Sequence, residues 1–161
     1  MQSLLDLLKP EYIRIGIQAE DAQNAILKTN AALAAAGATS EEYGKDTWKR
    51  EQEFPTGLPT QPIAVAIPHA DPDHVFHSAV GIGILESPVV FSQMGLDAST
   101  KLHVHIIFLL AVKEREKQAE LIQQVATLLQ TGDLLENLAD AAIQKEAFKL
   151  IKNTLLANGS C

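Results

Sequence analysis

The sequence predicts an α/β fold: an α/β/α sandwich whose mixed, mostly central β-sheet is flanked by helices. Three observations carry this. Residues 63–67, IAVAI, are a continuous apolar run of the kind found in a strand covered on both faces. Residues 102–112 are longer, largely apolar and rich in branched side chains. Beyond residue 116 the apolar spacing turns helical, with Leu121, Val125, Leu128 and Leu129 on one face.

Each element has its own local reason. Residues 3–9 read as a short helix that Pro10 terminates. Residues 12–17, YIRIGI, alternate apolar and polar positions and read as a strand. A helix over 21–36 follows, alanine-rich, with Asp21 as its cap and Gly37 as its stop. Thr39 and Glu42 have capping-box spacing, so a second helix is expected over 40–53, broken by Pro55 and Gly57. Residues 78–85 and 89–91 read as two strands, separated by Glu86, Ser87 and Pro88. Helices are expected over 116–130, 133–138 and 141–156. No internal repeat, linker or low-complexity tract interrupts the chain, so residues 1–161 read as one domain.

Composition excludes several classes. The chain has 161 residues, is 47% hydrophobic and 20% charged, and carries a net charge of -7. An acidic protein without a basic block is poorly suited to nucleic acid. No segment approaches the ~20 apolar residues of a membrane helix, so direct membrane insertion is not expected. The N-terminus has Asp6, Lys9 and Glu11 in its first turns and no basic leader, so it does not read as a signal peptide. The one cysteine, Cys161, allows no intramolecular disulfide. These features point to a cytoplasmic protein.

The chemistry-bearing residues gather in one place. Of five histidines, His69, His74 and His77 lie in HADPDHVFH (69–77), while His103 and His105 share one strand. Two chemistries fit. In one, the cluster with Asp71 and the strand pair ligates a metal in a hydrolase, though the spacing matches no fixed zinc signature. In the other, His69 is a nucleophile at the mouth of the 63–67 strand, where a neutral imidazole attacks a phosphoryl group. That role needs one free ring nitrogen and a hydrogen bond fixing the other. It also needs donors around the phosphoryl oxygens. REQEFPTG (50–57) offers them: Arg50 has a planar guanidinium fork, Thr56 a hydroxyl, and Gly57 permits close backbone approach. Against both stand simpler readings. His74 and His77 suit a solvated loop, Arg50 and Glu51 an exposed ion pair, and Thr56 and Gly57 a turn.

AVAIPHA (64–70), preceded by RExxFPTG (50–57), resembles the fructose/mannitol-type IIA domain of the bacterial phosphoenolpyruvate-dependent sugar phosphotransferase system. The resemblance covers nearly the whole chain. PHADPDHV (68–75) and FPTGL (54–58) look most like the galactitol-type IIA components. The resemblance implies a phosphoryl carrier that needs no cofactor. It would accept phosphoryl from phosphohistidine on HPr and pass it to a cysteine of a cognate IIB protein or domain. That partner would in turn phosphorylate a galactitol- or pentitol-like sugar during transport through a IIC permease. By the motif match, His69 is the phosphorylated residue, Arg50 and Thr56 line the site, and Glu51 flanks them. Cys161 has no counterpart in this role.

One departure from the wider family falls in KEREKQAEL (113–121). Gln118 stands near the position of a second active-site histidine, and glutamine donates a hydrogen bond but carries no proton charge. His74, five residues after His69, is the candidate to take part of that role. A regulatory IIA-like phosphoprotein would use the same histidine.

Overall fold

The computed structural model describes residues 3–95 and 99–158. In chain order these form β1 (Ile13–Ile17), α1 (Ala22–Ala35), α2 (Glu41–Glu53), β2 (Gly57–Leu58), β3 (Ala64–Ala66), β4 (Ala79–Ser92) and β5 (Lys101–Ala111). Three helices follow: α3 (Gln118–Leu129), α4 (Leu134–Ala139) and α5 (Gln144–Ala157). Among the described residues the strands form one sheet in the order β1-β4-β5-β3-β2. β1 with β4 and β3 with β5 are parallel, whereas β4 with β5 and β2 with β3 are antiparallel, so the sheet is mixed.

Strand alternation sorts the core into two layers. Val65, Ile67, Ile82, Ile84, Ile106, Phe108 and Leu110 face α3–α5, where Leu121, Val125, Leu128, Leu138, Ile151 and Leu155 close the first cluster. Ala66, Val104, Ile107, Leu109 and Ala111 face α1 and α2, where Ala25, Ile26, Leu33 and Tyr43 close the second. The sandwich expected from sequence is therefore present, with α1 and α2 on one face and α3–α5 on the other. No helix among the described residues is long and apolar enough to cross a membrane.

Several local expectations change. Residues 78–85 and 89–91 are one strand, β4. Its register with β5 jumps between Ile84↔Ile106 and Val89↔Val104, so residues 85–88 bulge opposite His105. Pro88 is accommodated there because a bulged residue owes no ladder hydrogen bond. Pro10 opens a 3₁₀ turn (Pro10–Tyr12) instead of closing a helix, and Leu5–Leu7 form a separate 3₁₀ turn. The capping box does not form. Thr39 is buried and donates its hydroxyl to Asn30 Oδ1, 2.8 Å away, and Ser40 occupies the cap position without a side-chain bond. Asp21 does cap α1, accepting from the Asn24 N–H at 2.8 Å, and Gly37 follows with φ +82°. The short β2, which adds an edge to β3, has no counterpart among the expected strands. Cys161 lies outside the described residues.

Candidate functional site

β3 is short because Pro68 has no N–H to continue a ladder, yet the parallel alignment with β5 persists beyond it. The Leu110 N–H donates to the Pro68 carbonyl at 3.0 Å, and His69 pairs with Leu110 across the strands. His69 is therefore held at the strand end, half-buried. Its Nδ1 lies 2.9 Å from the Ile67 carbonyl. A carbonyl only accepts, so Nδ1 carries the proton and Nε2 keeps its lone pair in the neutral ring. Burial lowers the His69 pKa; the bond to Ile67 works against this and the positive charge of Arg50 works with it. The ring is thus biased towards the neutral form that a nucleophile requires.

Arg50, on the last turn of α2, stacks its guanidinium 4.8 Å from the ring centroid of Phe54, which is itself 56% exposed. With Asp46, Lys49, Glu53, Ala70, Asp71 and Asp73 it walls an open cleft of about 210 Å³ beside the His69 loop. Asp71 also meets Arg115 at 3.6 Å.

Glu51 is not the exposed partner of Arg50 that the simpler reading expected. It is 5% exposed and accepts the Thr56 N–H at 2.8 Å and the Thr56 hydroxyl at 2.7 Å. Burial pushes its carboxyl up to about 7, against the pull of both Thr56 bonds. The Thr56 hydroxyl proton is thereby committed to Glu51, and Thr56 is itself buried, so the expected donor to phosphoryl oxygens is engaged elsewhere. The Thr56 carbonyl accepts from the Ile67 N–H at 3.3 Å, which ties this pair to the strand bearing His69. Gly57 is likewise used internally: a Cβ there would stand 2.6 Å from the Ser92 carbonyl oxygen.

His74 ends the 3₁₀ turn Pro72–His74. Its Nδ1–H donates to Asp46 Oδ2 at 2.5 Å, and this bond raises its pKa. The loop is stitched down on the α1–α2 connection, with the Ser40 N–H on the His74 carbonyl at 3.1 Å and the Phe76 N–H on the Ala38 carbonyl at 2.8 Å. His74 is therefore a held side chain at the edge of the cleft, not a free loop residue. Gln118, at the start of α3, donates from Nε2 to the Ala70 carbonyl at 3.4 Å. Gln118 thus touches the residue after His69.

The metal alternative loses its geometry. His103 pairs with Val90 near the far end of β5, roughly 20 Å of strand from Leu110. His77 is exposed beside the Ser78 carbonyl. Among the described residues no three or more His, Cys, Asp or Glu side chains are gathered to hold a metal ion.

Sequence reasoning missed Tyr43 and Asp46. Both lie on α2 at helical spacing from Arg50, positions 43, 46 and 50, and that periodicity was the available signal. Tyr43 is fully buried, donates its hydroxyl to the Leu110 carbonyl at 2.6 Å and accepts from the Ala70 N–H at 3.1 Å.

Comparisons with known proteins agree with this architecture. A family model described as phosphoenolpyruvate-dependent sugar phosphotransferase system, EIIA 2, matches residues 6–154. The galactitol-specific EIIA component of the PTS system from Escherichia coli K12 is 28% identical over 127 residues, covering 79% of this chain and 83% of that protein. A chain assigned as PTS IIA from Streptococcus mutans superposes with a TM-score of 0.78 at 21% identity, over 97% of both chains. The mannitol IIA of Escherichia coli, solved in complex with phosphorylated mannitol IIB, gives 0.74 at 22% identity, over 91% of this chain and 97% of that one. These two structures share the fold. IIA components of this system are phosphotransferase subunits that carry phosphoryl on histidine. With the match running almost end to end, this chain belongs to the EIIA 2 family of the phosphoenolpyruvate-dependent sugar phosphotransferase system.

Proposed function

We propose that His69 Nε2 is the phosphoryl-carrying atom. It takes phosphoryl from phosphohistidine on HPr, the donor P–N bond breaking as the P–Nε2 bond forms. It then gives the group to a cysteine thiolate of a cognate IIB component, for uptake of a galactitol- or pentitol-like sugar through a IIC permease. The observation that carries this is the Nδ1–H bond to Ile67, which leaves Nε2 as the free nitrogen at an accessible strand end. Similarity to the galactitol-specific EIIA component supports the sugar class, and the likeness to a mannitol IIA solved with its IIB supports the acceptor. Such a carrier works in the cytoplasm.

The surrounding groups fit roles in this transfer. The Arg50 charge acts at His69 and offsets negative charge on the transferring oxygens. His74, its Nδ1–H held by Asp46, presents a ring biased towards its cationic form and supplies part of the missing second-histidine role. Glu51 and Thr56 support the strand behind Ile67, Gly57 lets β2 pass close to Ser92, and Gln118 holds Ala70.

Intact-mass spectrometry after incubation with phosphoenolpyruvate, enzyme I and HPr tests the proposal. An acid-labile, phosphoryl-sized gain in the wild type and none in His69→Ala is the expected result. A gain in both moves the site to another histidine. In the same assay His74→Ala is expected to slow phosphoryl transfer, and a wild-type rate would remove His74 from the mechanism.

A further inference from the structure

The two peptide planes that flank His69 set its φ and ψ, and both are tied to Leu110. The preceding plane contains the Pro68 carbonyl, which accepts from the Leu110 N–H at 3.0 Å. The following plane contains the Ala70 N–H, which donates to the Tyr43 hydroxyl at 3.1 Å. That hydroxyl in turn donates to the Leu110 carbonyl at 2.6 Å. One plane is thus bound to Leu110 directly and the other through a single buried oxygen. On the opposite face, Gln118 Nε2 reaches the Ala70 carbonyl at 3.4 Å, so the residue after His69 is held from both helical layers.

We propose that Tyr43 is a positioning residue for His69, holding the backbone geometry in which Nδ1–H reaches the Ile67 carbonyl and Nε2 is left free. The bond from a histidine ring to the carbonyl two residues earlier exists only over a narrow range of backbone angles. Pro68 restricts φ at position 68, but with the Pro68 plane held, the φ of His69, which swings its ring relative to the Ile67 carbonyl, is fixed only if the next peptide is anchored as well. Tyr43 is that anchor. The direction of its bonds is settled by its partners, since the Leu110 carbonyl only accepts and the Ala70 N–H only donates, and burial, which pushes the phenol up to about 12, keeps the hydroxyl protonated. Its one proton goes to Leu110, and its lone pair receives Ala70. Without the hydroxyl, the Ala70 N–H and Leu110 carbonyl lose their shared partner, and the 68–70 segment moves to find others. The ring then samples both tautomers, and in one of them Nε2 carries the proton and cannot attack. Neither ligand nor partner is needed for this arrangement, which belongs to the resting chain.

The consequence for transfer rests on His69 being the carrier, but the tautomer does not, and the experiment reads both. In protein labelled with ¹⁵N-histidine, long-range ¹H–¹⁵N spectra at pH 8 give the tautomer of each ring, with His69 assigned by the signals lost in His69→Ala. The wild type is expected to show a single Nδ1–H tautomer at His69. Tyr43→Phe, which keeps the ring in the core, is expected to show a mixture. It should also lower kcat for transfer from phospho-HPr by about tenfold or more while leaving KM within about twofold. Thr29→Val removes a comparably buried hydroxyl in the same layer, one bonded to the Ala25 carbonyl, and is expected to change neither readout. A single Nδ1–H tautomer and wild-type kcat in folded Tyr43→Phe would overturn the proposal. A measurement on the wild type covers the case in which that variant does not fold. The Tyr43 hydroxyl proton should exchange slowly and give a cross-peak to the Ala70 amide proton, and its absence counts equally against the clamp. Should the wild type take no phosphoryl on His69, the carrier reading fails, while the tautomer and hydroxyl signals still decide the role of Tyr43.

Discussion

A carboxylate buried at the end of α2 has a direct thermodynamic consequence. Glu51 titrates at about 7 in the folded chain against an ordinary 4.5, chiefly because burial disfavours its charge. Between those two pH values the native state binds more protons than the unfolded one. The stability linked to Glu51 is therefore fully present below pH 4.5 and is lost as pH rises through about 7. The full effect is on the order of 3 kcal/mol. Glu51→Gln removes the titration, so its urea-unfolding midpoint is expected to vary less over this range than that of the wild type. Equal slopes in the two proteins would show that Thr56 compensates the buried charge completely. His69 runs the other way, its pKa lowered, so its neutral form persists below the pH at which an exposed histidine would charge. His69 was legible in the sequence because a buried apolar run ending in a proline holds the next residue rigidly where the strand meets solvent. The inward turn of Glu51 was not, since an acidic residue next to Arg50 near a helix end is more often solvated.

Between elements, the closest fit is where α1 crosses β4. A Cβ at Gly83 would meet Thr29 Oγ1 at 2.3 Å, and one at Gly81 would meet Leu33 at 3.1 Å. These glycines let the helix approach the strand closely, and Thr29 is fully buried against that surface. Gly83→Ala is expected to destabilise the protein by about 1–3 kcal/mol through overpacking, measured by chemical unfolding. An unchanged midpoint would mean that α1 shifts freely on the sheet. Elements were legible in the sequence where a local signal was strong: the branched apolar run of β5, the alanines and caps of α1, and the apolar period of α3. They were misread where a local signal competed with a distant partner. Glu86, Ser87 and Pro88 have turn chemistry, yet β5 on one side keeps β4 continuous and expels them as a bulge. Thr39 has capping-box spacing, yet Asn30 of α1 takes its hydroxyl.

Across the molecule, the sandwich brings α2, the end of β3, the end of β5 and the start of α3 to one edge, and the candidate groups around His69 come from these four elements and the loops that follow α2 and β3. The rim of the cleft there carries Asp46, Glu53, Asp71 and Asp73 beside Lys49 and Arg50, on a chain of net charge -7. In the proposed carrier role, docking to a partner with a basic patch is steered by this charge. Raising ionic strength from about 0.05 M to 0.5 M is expected to lower kcat/KM for transfer from phospho-HPr by about tenfold, with kcat little changed. A salt-independent kcat/KM would place recognition on apolar contacts such as the exposed Phe54 and Phe76.

Read alone, the chain specifies its layers, the strand that presents His69 and its resemblance to a carrier family. Apolar period and motif spacing are properties of neighbouring residues, and they survive without knowledge of the fold. Which group each polar side chain meets is a different kind of fact. Tyr43 reaches Leu110, 67 positions along the chain, and Gln118 reaches Ala70, 48 positions back. A hydrogen bond depends on distance and direction between elements packed by the whole core. Only the tertiary structure could therefore show that Thr56 serves Glu51, that His74 belongs to Asp46, and that the free nitrogen of His69 is Nε2.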